Sequence, residues 1–169
     1  MKKILISLVS LLVFTSCVLH VYRFTSVNYN NSRISISAGL VNSEDEKSPV
    51  EYIGVSDVRS NVNTPHKVKI LSSTIKIIDS NNKEYIAKTN SNSGYIHIYK
   101  QGVVITDDFK AYIGKVQLDD GTIIDIPPLS FKKTVYVERY SVISDTINAG
   151  GRGKEIFSGT VEDYKKQKK

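Results

Sequence analysis

The stretch AYIGKVQLDDGTIIDIPP, residues 111–128, decides the fold of this chain. Its first eight residues predict a strand that presents Tyr112, Val116 and Leu118 on one face. Asp120-Gly121 favours the type I′ turn that joins two antiparallel strands. The two prolines that close the stretch end the return strand, because neither can donate a backbone hydrogen bond to a neighbour. The stretch therefore predicts a β-hairpin.

Segments with the same strand character lie on both sides of this hairpin. They are residues 33–37, 50–55, 67–79, 84–88, 131–140 and 154–157. Near Ser72-Ser73 the apolar phase changes, as a bulge or bend requires, and Asn81-Asn82 suits a turn between two strands. About eight short strands at hairpin spacing predict an all-β fold, an antiparallel β-sandwich or a small barrel. We favour an immunoglobulin-like sandwich, from strand count and alternation alone.

The end of the chain carries a helical signal and a basic tail. Thr160 with Asp163 three residues later resembles a capping box, so a short helix is expected from Val161. The tail lysines are Lys165, Lys166, Lys168 and Lys169. No aromatic residues alternate with basic ones in this tail, which argues against nucleic acid as a partner. The tail either forms a solvated helix end or is weakly attracted to anionic lipid or another acidic envelope surface.

The N-terminus has the three parts of an export signal. Lys2 and Lys3 form a positive start, and residues 4–14 are apolar apart from two serines. Phe14-Thr15-Ser16-Cys17 resembles the lipobox of bacterial lipoproteins, with Phe14 where leucine is usual. The resemblance implies cleavage before Cys17 and acyl chains on that residue, which would hold the mature chain on a membrane.

Two other interpretations of the N-terminus remain open. The apolar run continues to Leu19 and could act as an uncleaved anchor, although it is shorter than the roughly 20 residues that span a bilayer as a helix. Alternatively, an ordinary signal peptide is removed and Cys17 is incidental. Under the lipoprotein interpretation, Val18 stands where aspartate would mark retention in the inner membrane. The resemblance then implies an outer-membrane position facing the periplasm in a Gram-negative cell, and the outer side of the plasma membrane in a Gram-positive cell.

These observations divide the chain into four parts. We expect a signal peptide over residues 1–16, a lipidated N-terminus and tether over 17–32, a β-sandwich over 33–159 and a short basic helix over 160–169. Removing the signal peptide lowers the formal charge from +6 to +4, because Lys2 and Lys3 leave with it. Cys17 is the only cysteine, so the domain depends on its apolar core rather than on disulfides.

No pattern in the sequence indicates catalysis, a metal or a cofactor. His20, His66 and His97 are far apart and lack the spacing of a local metal site. Asp107-Asp108 and Asp119-Asp120 lie at strand ends, where aspartate commonly forms turns. We therefore expect a protein that is not an enzyme.

A candidate binding stripe is found in Tyr95-Ile96-His97-Ile98-Tyr99. Strict alternation places Tyr95, His97 and Tyr99 on one face and the isoleucines on the other. If the isoleucines are in the core, the stripe is exposed and has the character of a binding surface. The alternative is packing of the same face against a loop or strand.

Three functions are compatible with these features. The first is binding of another envelope or secreted protein, in its narrower form as an immunity or inhibitor protein. The second is a structural accessory subunit of an envelope or secretion assembly. The third is binding of a glycan or small ligand. A loop that inserts into an enzyme cleft would favour the inhibitor. A broad, flat apolar patch would favour the accessory subunit, and a closed cavity lined by aromatic residues would favour the ligand binder.

Overall fold

The computed structural model describes residues 16–61, 63–90, 93–141 and 153–168 of the chain. These residues form the strands β1 (Ser16–Ser26), β2 (Ile34–Leu40), β3 (Val50–Asp57), β4 (Val68–Ile70), β5 (Thr74–Asp79), β6 (Glu84–Lys88), β7 (Tyr95–His97), β8 (Phe109–Tyr112), β9 (Gly114–Leu118), β10 (Ile123–Ile126), β11 (Leu129–Ser141) and β12 (Lys154–Thr160). A 3₁₀ helix spans Tyr99–Gln101, and helix α1 spans Val161–Gln167.

The strands of the described residues belong to two sheets. The larger has nine strands in the order β6-β5-β8-β11-β1-β2-β3-β7, with β12 also paired to β11, and the smaller has the order β10-β9-β4. Antiparallel pairing joins β2 to β3, β3 to β7, β5 to β6, β5 to β8 and β9 to β10. The predicted all-β antiparallel class with a short C-terminal helix is thus confirmed.

The chain divides into two compact units, of which the larger is Tyr22–Thr134. Its core follows from alternation, because successive side chains of a strand lie on opposite faces. In β2, for example, Ile34, Ile36 and Ala38 are buried while the serines between them are exposed. The largest fully buried side chains of this unit are Phe24, Phe131, Ile53, Ile70, Ile75, Ile77, Ile96, Ile98, Ile113, Leu129, Val50 and Val55.

The second unit consists of Met1–Val21 and Val135–Lys169. The Thr160 hydroxyl accepts a hydrogen bond from the backbone N–H of Asp163 at 3.1 Å, so the predicted helix cap is confirmed. Val161 is buried, and the Tyr164 ring packs on Phe157 with their centroids 5.0 Å apart. A helix of 7 residues is too short to be stable alone, and these contacts provide its stability.

The hairpin stretch differs from its prediction in two ways. Residues 111–118 are not one strand: β8 ends at Tyr112, and β9 begins in the other sheet at Gly114, whose φ of 80° turns the chain between the sheets. The turn after β9 is not of type I′, because Gly121 has a positive φ of 83° and Asp120 does not. The hairpin itself is confirmed, with Ile124 opposite Val116.

The structure differs from the sequence-based expectation at two further places. The phase change near Ser72-Ser73 is a change of sheet, since β4 lies in the smaller sheet and β5 in the larger. Residues 17–26 of the expected tether belong to strand β1 (Ser16–Ser26). The reason is packing: Phe24 is 0% exposed and contacts the Phe109 ring edge-on, with centroids 5.3 Å apart.

The expected signal-peptide residues 1–15 lie outside the described residues. No helix in the part of the chain that the structure describes has the length and apolar character to cross a membrane.

Candidate functional site

The aromatic stripe lies at the edge of the larger sheet. Ile96 and Ile98 are 1% and 0% exposed, whereas Tyr95 and Tyr99 are 46% and 44% exposed and His97 is also exposed. The structure therefore places the five residues as their alternation predicts. Tyr99 belongs to the 3₁₀ helix rather than to β7, which ends at His97. Binding by these side chains stays a prediction.

Tyr52, which the sequence analysis did not single out, completes the aromatic group. It lies on β3 opposite His97, and its ring contacts the Tyr95 ring at a centroid distance of 5.5 Å and the His97 ring at 6.1 Å. Both contacts are edge-to-face, with interplanar angles of 69° and 61°. Such pairs contribute about 0.5–1.5 kcal/mol beyond their buried area, so the three rings support one another.

Two strand glycines make room for the tyrosine rings. A Cβ at Gly39 would lie 2.5 Å from Cε1 of Tyr52, and a Cβ at Gly54 would lie 2.8 Å from Cε1 of Tyr95. Glycine inside a strand often marks close approach of another group. The two glycines therefore accommodate the rings, but a strand glycine does not by itself identify which ring approaches it.

The register of the strands shows what surrounds these rings. Across β2 and β3, Gly39 lies opposite Tyr52, Ser37 opposite Gly54, and Ser35 opposite Ser56. On the other side of β3, His97 of β7 lies opposite Tyr52, and Tyr95 lies opposite Gly54. We call this surface the tyrosine face. Its members are Ser35, Ser37, Gly39, Tyr52, Gly54, Ser56, Tyr95, His97 and the adjacent Tyr99. None is Asp, Glu, Lys or Arg, although these types make up 24% of the chain.

The backbone at this sheet edge is partly occupied by side chains. The Gln101 amide donates to the carbonyl oxygens of His97 and Lys88, each at 3.0 Å, and its oxygen accepts from the Lys88 N–H at 2.7 Å. Ser93 Oγ accepts from the Tyr95 N–H at 3.0 Å. Gln101 thus links the end strands β6 and β7 and protects the edge from pairing with another strand. The tyrosine face offers side chains, not an open strand, to a partner.

A charged cluster lies at the end of β3. Arg59 donates from Nε and from a terminal nitrogen to the two oxygens of buried Asp57, at 3.0 and 2.6 Å. This hydrogen bonding lowers the pKa of Asp57 to about 2. The same terminal nitrogen is 3.4 Å from an Asp119 oxygen, and Nδ1 of His66 lies 2.6 Å from the other oxygen of Asp119.

The cluster has metal-like spacing but is already occupied by a cation. Ligand atoms of Asp57, His66 and Asp119 lie within 4.8 Å of one another. Arg59, however, bonds to two of these three residues, so a metal ion would have to displace a guanidinium from a buried carboxylate. Asp120 in the same turn is paired with Arg33 at 2.5 Å. We interpret the cluster as an ion-pair network that fixes the β9–β10 turn to β2 and to the segment after β3.

The proposed acylation site is accessible. Cys17 is a free cysteine with an exposed side chain in the first part of β1. The other histidines are not members of the tyrosine face: His66 belongs to the charged cluster, and His20 bonds to Tyr164. Among the described residues, the three histidines therefore do not form one site.

Comparison with family models, with curated proteins and with solved structures gives no match to this chain.

Proposed function

We propose that this chain is an envelope lipoprotein, anchored through acyl chains on Cys17, whose non-enzymatic β domain binds another protein. The tyrosine face carries this proposal. It combines exposed tyrosines with serine and glycine, the composition of antibody binding loops, where tyrosine supplies large contact area at low entropic cost. The absence of charged side chains from the face also lowers the cost of removing it from water.

The size of the face makes it the centre of an interface. Strands lie about 4.8 Å apart and rise about 3.3 Å per residue, so three strands and five residue positions cover roughly 10 by 13 Å. A stable protein–protein interface buries about 800 Å² on each partner. The face therefore supplies the central contacts, and the surrounding loops must supply the polar rim.

Ring geometry favours a protein over a polysaccharide. The Tyr52 ring is inclined by 69° to Tyr95 and by 61° to His97, so the three rings do not form one plane on which successive sugar rings could stack. Mutually inclined rings instead produce a rough surface with gaps that protein side chains can fill. An immunity or inhibitor protein is the narrower form of this proposal.

One observation favours a glycan or small ligand as a second candidate. A cavity of about 220 Å³ adjoins the tyrosine face, lined by Tyr95, Gly94, His66 and several serines. Its hydroxyl groups and imidazole are suited to a small polar ligand. It is open to one side rather than enclosed, which makes it the weaker candidate.

The test compares matched variants in affinity capture from the envelope of the native host. One variant carries Tyr95→Ser, His97→Ser and Tyr99→Ser. Its control carries Ile86→Ser, Val104→Ser and Ile123→Ser, which removes apolar side chains that are 61%, 54% and 56% exposed elsewhere. We expect one stoichiometric protein partner, kept by the control and lost by the tyrosine variant. Equal capture by both variants would refute the site. Binding of cell-wall fragments without a protein partner would favour the second candidate.

A further inference from the structure

The C-terminal helix is attached to the strand that contains Cys17. Nε2 of His20 and the hydroxyl of Tyr164 are 2.8 Å apart, and the two rings meet edge-on with centroids 5.6 Å apart. Tyr164 also packs on Phe157 in β12. Helix α1 is therefore held against β1 by its central aromatic residue, while Thr160 caps its start.

These contacts place the lysines of the helix in the same compact unit as Cys17. An extended strand rises about 3.3 Å per residue, so Cys17 and His20 are roughly 10 Å apart. The helix rises about 1.5 Å per residue, so Lys165, Lys166 and Lys168 lie within roughly 6 Å of Tyr164 along its axis. His20 and Tyr164 therefore join the strand that contains Cys17 to the helix that carries the lysines. Sequence alone separates them by nearly the whole chain.

The compact unit that contains Cys17 has both basic and apolar exposed groups. Lys165, Lys166 and Lys168 are exposed, and Lys166 pairs with Glu162 at 2.9 Å. Val18 and Ile156 are exposed apolar residues of the same compact unit, at 38% and 44%. Basic groups beside small apolar ones are the composition that binds the interface of an anionic bilayer.

We propose that helix α1 is a second membrane contact, in which its lysines bind anionic phospholipid headgroups beside the anchor at Cys17. The inference rests on the anchor of the proposed function. Acyl chains at Cys17 would hold this unit at the bilayer, and a basic patch beside a lipid anchor adds electrostatic attraction to anionic lipid. Each lysine near an anionic surface strengthens attachment roughly fivefold at moderate salt. We name a membrane rather than a protein as the partner of these lysines because the proposed anchor holds this unit at a lipid surface.

The test uses the full chain, purified from membranes and reconstituted into two kinds of vesicle. One kind is phosphatidylcholine, and the other contains roughly 30 mol% phosphatidylglycerol, enough to give a negative surface potential. A membrane-impermeant acylating reagent modifies accessible lysines, and mass spectrometry measures the rate at each. Lys69 and Lys110, exposed lysines of the other unit, are the internal controls.

We expect labelling of Lys165, Lys166 and Lys168 to slow roughly fivefold in anionic vesicles, and to recover at about 1 M salt, where charges are screened beyond a few ångströms. The controls should not change. A chain with Lys165→Gln, Lys166→Gln and Lys168→Gln should leave anionic vesicles at least about tenfold faster than one with Lys69→Gln, Lys110→Gln and Lys132→Gln. Equal labelling in both vesicles, or equal release of both variants, would refute the inference. If the unaltered chain itself dissociates from both kinds of vesicle, the lipid anchor is refuted, and the inference that rests on it is refuted as well.

Discussion

Replacing Asp57 by asparagine should destabilise the larger unit in a way that depends on pH. Asp57 is 2% exposed, and Arg59 bonds to both of its oxygens. Its pKa falls from 3.8 to about 2 because of these hydrogen bonds. A carboxyl with a lower pKa in the folded chain stabilises the fold above its unfolded pKa, and this contribution disappears as the pH falls through the folded value.

The size of the effect follows from the two pKa values. A carboxyl that titrates near 4 when unfolded and near 2 when folded contributes about 2 kcal/mol at neutral pH. Asp57→Asn should therefore lower the free energy of unfolding by about 2 kcal/mol at neutral pH, and by much less below about pH 2. The difference between the two proteins should shrink between about pH 4 and pH 2.

Urea unfolding at a series of pH values measures this difference. Asp125→Asn is the matched control, because Asp125 is an exposed aspartate in β10 for which no ion pair is found among the described residues. Its effect should be below about 0.5 kcal/mol at every pH. A loss for Asp57→Asn that is the same at pH 7 and pH 2, or no loss at pH 7, would show that the Arg59 pair does not stabilise the fold as argued.

Three further changes test other parts of the structure. Gly39→Ala should displace the Tyr52 ring, because the new Cβ would lie 2.5 Å from it. Partner binding should weaken while the chain stays folded, and an unchanged affinity would place the binding site elsewhere. Gln101→Ala removes the three hydrogen bonds that its side chain makes to Lys88 in β6 and His97 in β7. Hydrogen exchange of the Lys88 amide should then speed up at least about tenfold, and unchanged exchange would be the contrary result. The hydrogen bond to the Glu138 carboxylate raises the pKa of Tyr136 to about 12, so Tyr136→Phe should remove one tyrosine step near pH 12 from an absorbance titration; an unchanged titration would contradict this.

Alternation and turn residues predicted most of the strands, because burial of one face imposes a period of two. The hairpin around Gly121 and the strand after the prolines were found in this way. Gly114 shows the limit of the method: its positive φ redirects the chain into a second sheet, and the buried positions change phase there, from Ala111 and Ile113 to Val116 and Leu118. A local pattern does not report which sheet a strand joins.

The tether and Tyr52 show a second limit. Strand β1 was not predicted, because the asparagine-rich residues that follow it suggested a tether over 17–32, although its own valines and aromatic residues have strand character. The aromatic stripe could be predicted because its residues adjoin in sequence. Tyr52 could not, since it joins His97 only through the pairing of β3 with β7. Residues brought together by sheet register are invisible to a local pattern.

Site-directed photo-crosslinking in cells of the native host tests the central claim most directly. A photoreactive phenylalanine analogue replaces Tyr95 or Tyr99 in the tyrosine face, or Ile86, which is 61% exposed on β6, as the control. The account predicts one discrete protein adduct from positions 95 and 99 and none of that mass from position 86. The same adduct from all three positions, or no protein adduct from 95 and 99, would contradict it.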